Sequence, residues 1–280
     1  MRNINANEVT QAVKKLSMDS NYYLGDDVIA AINKAAKTEE SPLGKEILYQ
    51  ILENAEIARN DKMPLCQDTG LSALFVELGQ DVHVEGGHFE GAIQEGIRQG
   101  YAEGYLRKSM VEDPLRRKNT GDNTPAVISI RIVAGDKIKI TMLPKGGGSE
   151  NMSAVKMLKP SDGEDGVKSF VVETVRKAGG NPCPPIIVGV GIGGSFDKCA
   201  YLAKKALLRQ IGSVHSDTYY AAMEQELLEK INNIGIGPQG LGGRTTALAV
   251  HIETHPCHIA SLPVAVNTQC HSARHKEIVL

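Results

Sequence analysis

The apolar positions of this chain change period several times, and the changes outline its elements. Three amphipathic helices open it. The first starts near Asn7, an N-cap candidate, and puts Val9, Val13 and Leu16 on one face. The second follows Gly25-Asp26 and carries Val28, Ile29 and Ile32. The third follows Ser41-Pro42, with Pro42 suited to a first helical turn, and carries Ile47, Leu48, Ile51 and Leu52. The run from Leu71 to Leu78 reads as a strand, and Phe89 to Gly104 as another helix. Ala126 to Val133 and Lys137 to Leu143 alternate apolar and polar residues. Ala134-Gly135-Asp136 between them predicts a hairpin turn.

Further along, "PKGGGSENMSAVKML" reads as a glycine loop leading into a short helix. Gly166 to Ala178 and Tyr219 to Ile231 have helical spacing. "PPIIVGVGIGGSFDKCAYLAKKALL" reads as buried strand, glycine loop, then helix, and Thr246 to Ile252 as a strand after the glycine-rich Gly235 to Gly243. There is no internal repeat and no low-complexity linker. The pattern predicts an α+β fold of mixed helices and a mainly antiparallel sheet. It forms a single domain over 1–280 with room for two lobes, and its N-terminal helical part covers about 1–62.

Composition narrows the function classes. The 280 residues are 41% hydrophobic and 23% charged, enough to bury a core. A formal net charge of -2 gives no reason to expect nucleic acid or an anionic membrane as partner. No apolar run is long enough to span a bilayer, and the N-terminus lacks the apolar stretch of a signal peptide, so the cytoplasm is the default location. Five cysteines, odd in number and widely spaced, argue against a disulfide framework. No C-x-x-C pair suggests a zinc ribbon.

Gly189-Val190-Gly191-Ile192-Gly193-Gly194 satisfies G-x-G-x-x-G between a strand and a helix. It lacks the N-terminal βαβ unit and the acidic residue about 20 positions on that a dinucleotide site needs. A tight turn with its backbone near another group is therefore the preferred reading over a nucleotide-dependent oxidoreductase. "KGGGSE" could cradle an anion on consecutive N–H groups or simply turn the chain.

Cys66, Cys183 and Cys270 each sit in loop-like, polar or proline-bounded surroundings, open to metal or iron–sulfur ligation and to an ordinary loop role. Cys199 falls on a helix face and reads as core, and Cys257 is ambiguous. Five of the eight histidines lie between His251 and His275, around an apolar interior from Ile259 to Val266 that favours their burial. Arg107, in "YLRKS", reads on its own as a surface charge at a helix end.

Six motifs occur in order: "PLCQDTG", "NTGDNTPA", "KGGGSEN", "NPCPP", "GIGPQGLGGRTTAL" and "HIASLPVAVNTQCHSARH". Together, over nearly the whole chain, they resemble the α subunit or N-terminal catalytic domain of class I fumarate hydratases and the related L-tartrate dehydratases, the iron–sulfur hydro-lyases. The resemblance implies a [4Fe–4S] cluster held by Cys66, Cys183 and Cys270, with one iron left open as a Lewis acid. It implies Asp68 as the acid side of the chemistry, working with His258. It also implies substrate contacts from Gln67, Arg107, Gly147 and Gly148.

In single-chain relatives a further domain follows, whereas this chain ends at Leu280. The resemblance therefore implies a separate β subunit, as in an α2β2 assembly, that supplies the catalytic base. Reversible hydration of fumarate to (S)-malate is the expected reaction. L-tartrate dehydration is the same-class alternative on another small C4 dicarboxylate, and a non-enzymatic iron–sulfur scaffold is the alternative outside catalysis.

Overall fold

The chain opens with strand β1 (Arg2–Asn5), whose last residue caps helix α1 (Ala6–Tyr22). The Asn5 side chain accepts the Asn7 N–H at 2.9 Å, and the Glu8 carboxylate accepts the Asn5 N–H at 3.2 Å. This reciprocal cap satisfies donors that the first turn would leave open. The cap is thus Asn5 rather than Asn7. Val9, Val13 and Leu16 are buried as their spacing predicts.

The remaining elements follow in order, in a computed structural model that describes residues 1–280. They are α2 (Asp26–Thr38), α3 (Pro42–Asp61), β2 (Leu71–Gly79), β3 (Val82–Glu85), α4 (Phe89–Glu103), β4 (Val127–Val133) and β5 (Ile138–Lys145). Then come α5 (Gly147–Glu150), β6 (Ala154–Leu158), α6 (Gly163–Ala178), β7 (Ile186–Gly193) and α7 (Phe196–Ala206). Helix α8 (Thr218–Asn232), β8 (Ala247–His255), β9 (Leu262–Gln269) and β10 (Lys276–Val279) complete the chain. The α+β class is as the sequence predicts, although β1, β3, β6, β9 and β10 were not legible in it. No helix is long and apolar enough to cross a membrane.

The chain forms two compact units. The first contains Met1–Leu24, Asn54–Gly147 and Arg274–Leu280; the second contains Gly25–Glu53 and Gly148–Ala273. In the first unit a four-stranded sheet runs β10-β5-β2-β4, beside a small parallel β1-β3 pair. Strands β10 and β2 are antiparallel to β5, while β4 is parallel to β2. Helices α1 and α4 bury Val9, Val13, Ile93 and Ile97 with Leu74, Val76, Ile138 and Ile140 of the sheet.

Here the expected hairpin fails. Strands β4 and β5 do not pair with each other, because β2 lies between them. The Ala134-Gly135-Asp136 turn reaches across the end of β2: Gly79 and Gln80 donate to the Lys137 and Val133 carbonyls, both at 2.8 Å. Strand β2, with Ala73, Leu74 and Val76 buried, takes an interior place. The alternating β4 takes an edge, where Ile130 and Ile132 remain exposed.

The second unit has a sheet ordered β6-β9-β7-β8, with β6/β9 and β7/β9 antiparallel and β7/β8 parallel. Val188 and Val190 share a core with Val171 of α6 and Leu227 of α8. Their neighbours Gly189 and Gly191 point to the opposite face, as period two requires. A Cβ on Gly189 would stand 2.1 Å from the Ala203 carbonyl, and one on Gly191 2.1 Å from the Cys199 carbonyl. The G-x-G-x-x-G run is therefore largely strand, stripped of side chains so that α7 can lie against it. Its chemistry is packing, which is how the sequence test for a nucleotide site comes out.

Candidate active site

The segment Cys66–Gly70 is a bend between α3 and β2, and it is heavily tied down. The residue before it is fixed first: Leu65 N–H donates to the Asn21 carbonyl at 2.9 Å, and the Asn54 amide donates to the Leu65 carbonyl at 2.9 Å. The Asp68 N–H then points at Cys66 Sγ, 3.4 Å away. An N–H aimed at sulfur stabilises a thiolate and recurs around metal-bound cysteines.

Asp68 faces the glycine loop. Its Oδ2 accepts the Gly147 N–H at 2.8 Å and its Oδ1 accepts the Gly70 N–H at 3.0 Å. Gly70 has φ of +73°, and a Cβ there would stand 2.6 Å from the Lys145 carbonyl group, so only glycine lets the turn press on β5. Cys66 and Asp68 are half-buried, while Gln67, Arg107, Gly147 and Gly148 are exposed. The Thr69 hydroxyl donates to the Arg107 carbonyl at 2.8 Å, which ties the arginine's backbone to the same bend. Cys66, Asp68, Arg107 and Gly147 are thus linked within the first unit.

Three residues that sequence reasoning missed hold the carbonyls of this bend. Buried Tyr101 donates its hydroxyl to the Thr69 and Gly70 carbonyls at 2.9 and 3.1 Å. Burial pushes that hydroxyl's pKa up and keeps it protonated for the task. Buried Asn123 donates to the Gly70 carbonyl at 3.2 Å, and its Oδ1 accepts the Ser109 N–H at 2.7 Å. Buried Arg274 donates to the Asp68 carbonyl through Nη2, and its Nε and Nη1 have no partner. Asn123 and Arg274 lie inside motifs quoted above, although nothing in the motifs gives their roles. Tyr101 carries no sequence signal beyond its helical spacing.

In the second unit, the backbone of Cys183 is tied to the residue after Cys270. The His271 N–H donates to the Cys183 carbonyl at 3.2 Å. Cys183 itself has a left-handed φ of +56°. The second half of the glycine loop is tied to the strand leading to Cys270: Thr268 Oγ1 donates to the Ser149 carbonyl at 2.9 Å, and the Asn267 amide donates to Glu150 at 3.0 Å.

His258 lies in the exposed turn between β8 and β9, its Nδ1 accepting the Ala260 N–H at 3.1 Å. A neutral imidazole bonded this way carries its proton on Nε2. The expected burial of the histidine-rich tail holds only in part. His251 is buried within β8, but Ile259 is 91% exposed, because the apolar run does not enter the sheet until β9.

The donor set suits a soft metal centre. Cys66 and Cys270 are half-buried and Cys183 is exposed, so all three thiols are reachable, whereas Cys199 is buried in the packing of α7. Burial raises the Cys199 pKa and keeps it a thiol. Cys257 is exposed, with its thiol 3.3 Å from the Ser261 carbonyl. No three His, Cys, Asp or Glu side chains are already grouped as a metal site. A cleft of about 590 Å³ in the second unit, lined by Asp27, Lys34, Leu228, Arg244 and His251 among others, contains none of the cluster, acid or substrate residues that the resemblance implies.

Comparison with known proteins agrees with the order of the motifs. The family described as Fumarate hydratase (Fumerase) matches residues 10–279. A Methanocaldococcus jannaschii protein provisionally named L(+)-tartrate dehydratase subunit alpha is 47% identical over 273 residues, covering 95% of each chain. The L(+)-tartrate dehydratase subunit alpha of Escherichia coli K12 is 35% identical over 271 residues, covering 96% of this chain and 89% of that one. The protein of the same name from Shigella sonnei gives the same values.

Proposed function

Starting from a chain that belongs to the fumarate hydratase (Fumerase) family, we propose that it is the α subunit of a two-subunit iron–sulfur hydro-lyase acting on a C4 dicarboxylate. Reversible hydration of fumarate to (S)-malate is the reaction we assign. The observation that carries the reading is the Asp68 carboxylate, held by the Gly70 and Gly147 N–H groups in the same bend that presents Cys66. A carboxylate aimed by two backbone donors beside a thiol suits proton transfer next to a metal better than it suits a plain turn.

Cys66, Cys183 and Cys270 would hold a [4Fe–4S] cluster. When bound through three thiolates only, such a cluster offers an open iron as a Lewis acid toward a substrate carboxylate and hydroxyl. The chain's own residues do the rest. Arg107 supplies a forked cation for a substrate carboxylate. The exposed Gly147 adds backbone against Asp68, Gly148 after it offers a further backbone contact to substrate, and Gln67 orients the substrate through its amide. Asp68 gives the proton that the departing hydroxyl needs, or takes it back in hydration. His258 works with Asp68 as a hydrogen-bond donor through its Nε2–H. Each Asp68 oxygen has one N–H partner from the backbone and keeps a lone pair for a proton.

A separate β subunit would complete the site and supply the base, in line with relatives that are named as alpha subunits. Those relatives' names also favour a second reading, dehydration of L-tartrate. The two substrates differ by a hydroxyl, and discrimination depends on which polar groups in the pocket would be left unpaired. The test is anaerobic purification with the β partner, iron and sulfide determination, and assays with fumarate, malate and tartrate. Turnover of fumarate and malate above tartrate supports the assignment, the reverse preference moves it to tartrate, and an iron-free protein that still turns over removes the cluster.

A further inference from the structure

One side chain touches the neighbours of two proposed ligands at once. Gln239 stands in the glycine-rich segment between α8 and β8, and its Nε2 lies 2.9 Å from the Pro184 carbonyl and 3.0 Å from His271 Nδ1. Its backbone N–H also donates to the Pro184 carbonyl, at 2.8 Å. Pro184 follows Cys183, and His271 follows Cys270. His271 in turn donates its N–H to the Cys183 carbonyl at 3.2 Å, which closes the circuit.

A carbonyl cannot donate, so the Gln239 nitrogen faces Pro184, and one amide hydrogen is used there. The second lies toward His271 Nδ1, which stands 3.0 Å from Gln239 Nε2 and 3.1 Å from the Cys183 carbonyl. In the tautomer with its proton on Nε2, Nδ1 accepts from Gln239, and the Cys183 carbonyl keeps the His271 backbone N–H as its donor. In that tautomer the amide clips the two cysteine segments together.

The backbone under this clip is strained. Gln239 has φ of 53° and ψ of 16°, a left-handed conformation that side chains other than glycine adopt at a cost of roughly 1 kcal/mol. The surrounding "GPQGLGG" is full of glycine, which would take that conformation freely. A side chain kept at such a position is held by what it does, and strain of this kind gathers at sites.

We propose that Gln239 is a positioning residue that fixes the spacing of the Cys183 and Cys270 thiols through Pro184 and His271. The inference rests on reading those thiols as cluster ligands. Two variants of the full chain test it. Gln239→Gly removes the clip while relieving the backbone. Gln239→Glu keeps the shape but removes both amide hydrogens. Each is purified anaerobically and treated, free of metal, with dibromobimane, which fluoresces only after both of its arms have alkylated thiols. Peptide mass mapping then isolates the Cys183–Cys270 product. Iron per chain after reconstitution and the melting temperature are measured alongside.

The expected result is a several-fold loss of the Cys183–Cys270 product and of retained iron in both variants, with a melting temperature within a few degrees of the parent. Unchanged cross-linking in Gln239→Gly, or parental behaviour of Gln239→Glu, overturns the positioning role. Cross-linking that depends on Gln239 in a parent chain that takes up no iron would keep this inference and overturn the cluster reading instead.

Discussion

The Oδ2 of Asp68 and the N–H of Gly147 meet at 2.8 Å across 79 residues of sequence. The contact makes the glycine loop a holder of the proposed acid. The Asp68 carboxylate has both oxygens occupied by backbone donors, since Gly70 takes the other at 3.0 Å. An asparagine at position 68 could satisfy only one of them and would turn an NH2 group against the other.

Asp68→Asn keeps all three cysteines and should still retain iron, while losing on the order of 10²–10⁴-fold in turnover, the range for removal of a general acid or base. Iron determination and steady-state kinetics on the complex with the β subunit check both halves. A variant with parental turnover would take Asp68 out of the mechanism.

The cysteines should divide by accessibility. Serine at 66, 183 or 270 should abolish retention of iron and sulfide after anaerobic reconstitution. Cys199→Ser should leave it intact and act instead on stability, because it puts a hydroxyl into the buried packing of α7 against Ala265. Visible absorption and iron content measure the first effect, and urea unfolding the second.

Glu39 predicts an acid limit for the second unit. The side chain is 2% exposed and accepts N–H groups from Ser41 at 2.9 Å and Thr245 at 2.7 Å, as well as from Glu40 and Arg244. Burial pushes its pKa up, but the bonds from Ser41, Arg244 and Thr245 outweigh it and bring it down to about 2 from 4.5. A carboxylate depressed by folding stabilises fully above the unfolded value and progressively less as pH falls from about 4.5 toward 2. Roughly 3 kcal/mol is at stake in that window. Glu39→Gln should be less stable at neutral pH and should flatten the loss of stability with acid, as read by urea unfolding at several pH values.

Two glycines should respond to alanine in opposite ways. In Gly191→Ala the new methyl would meet the Cys199 carbonyl at 2.1 Å, forcing α7 off the sheet at a cost of about 3 kcal/mol. Gly91 lies in the first turn of α4, where a Cβ would have its nearest contact at 3.7 Å, so alanine should stabilise by about 0.5–1 kcal/mol. Thermal melts of the two variants give the comparison directly.

Tyr101→Phe removes the hydroxyl that serves the Thr69 and Gly70 carbonyls while keeping the ring in the core. It should destabilise the protein by about 1–2 kcal/mol, because buried acceptors lose their donor. Turnover should fall as well, since the bend that aims Asp68 loosens. A loss of stability with unchanged kinetics would make Tyr101 structural only.

The helices, the strands β2, β7 and β8, and the burial of Val9, Val13, Ile32 and Leu48 were legible in the sequence, because period and capping chemistry are local properties. So was the family, carried by six motifs in order. The pairing of β2 between β4 and β5 was not, because neighbouring strands in sequence compete with a more apolar third strand for an interior place, and only the assembled sheet decides. The same holds for the groups that hold the site. Tyr101, Asn123, Arg274 and Gln239 act through carbonyls and ring nitrogens far away in the chain, and a hydrogen bond between distant segments leaves no periodic trace. The sequence by itself determined the family and the side chains proposed for the chemistry; tertiary structure decided what aims them, because direction comes from contacts that folding creates.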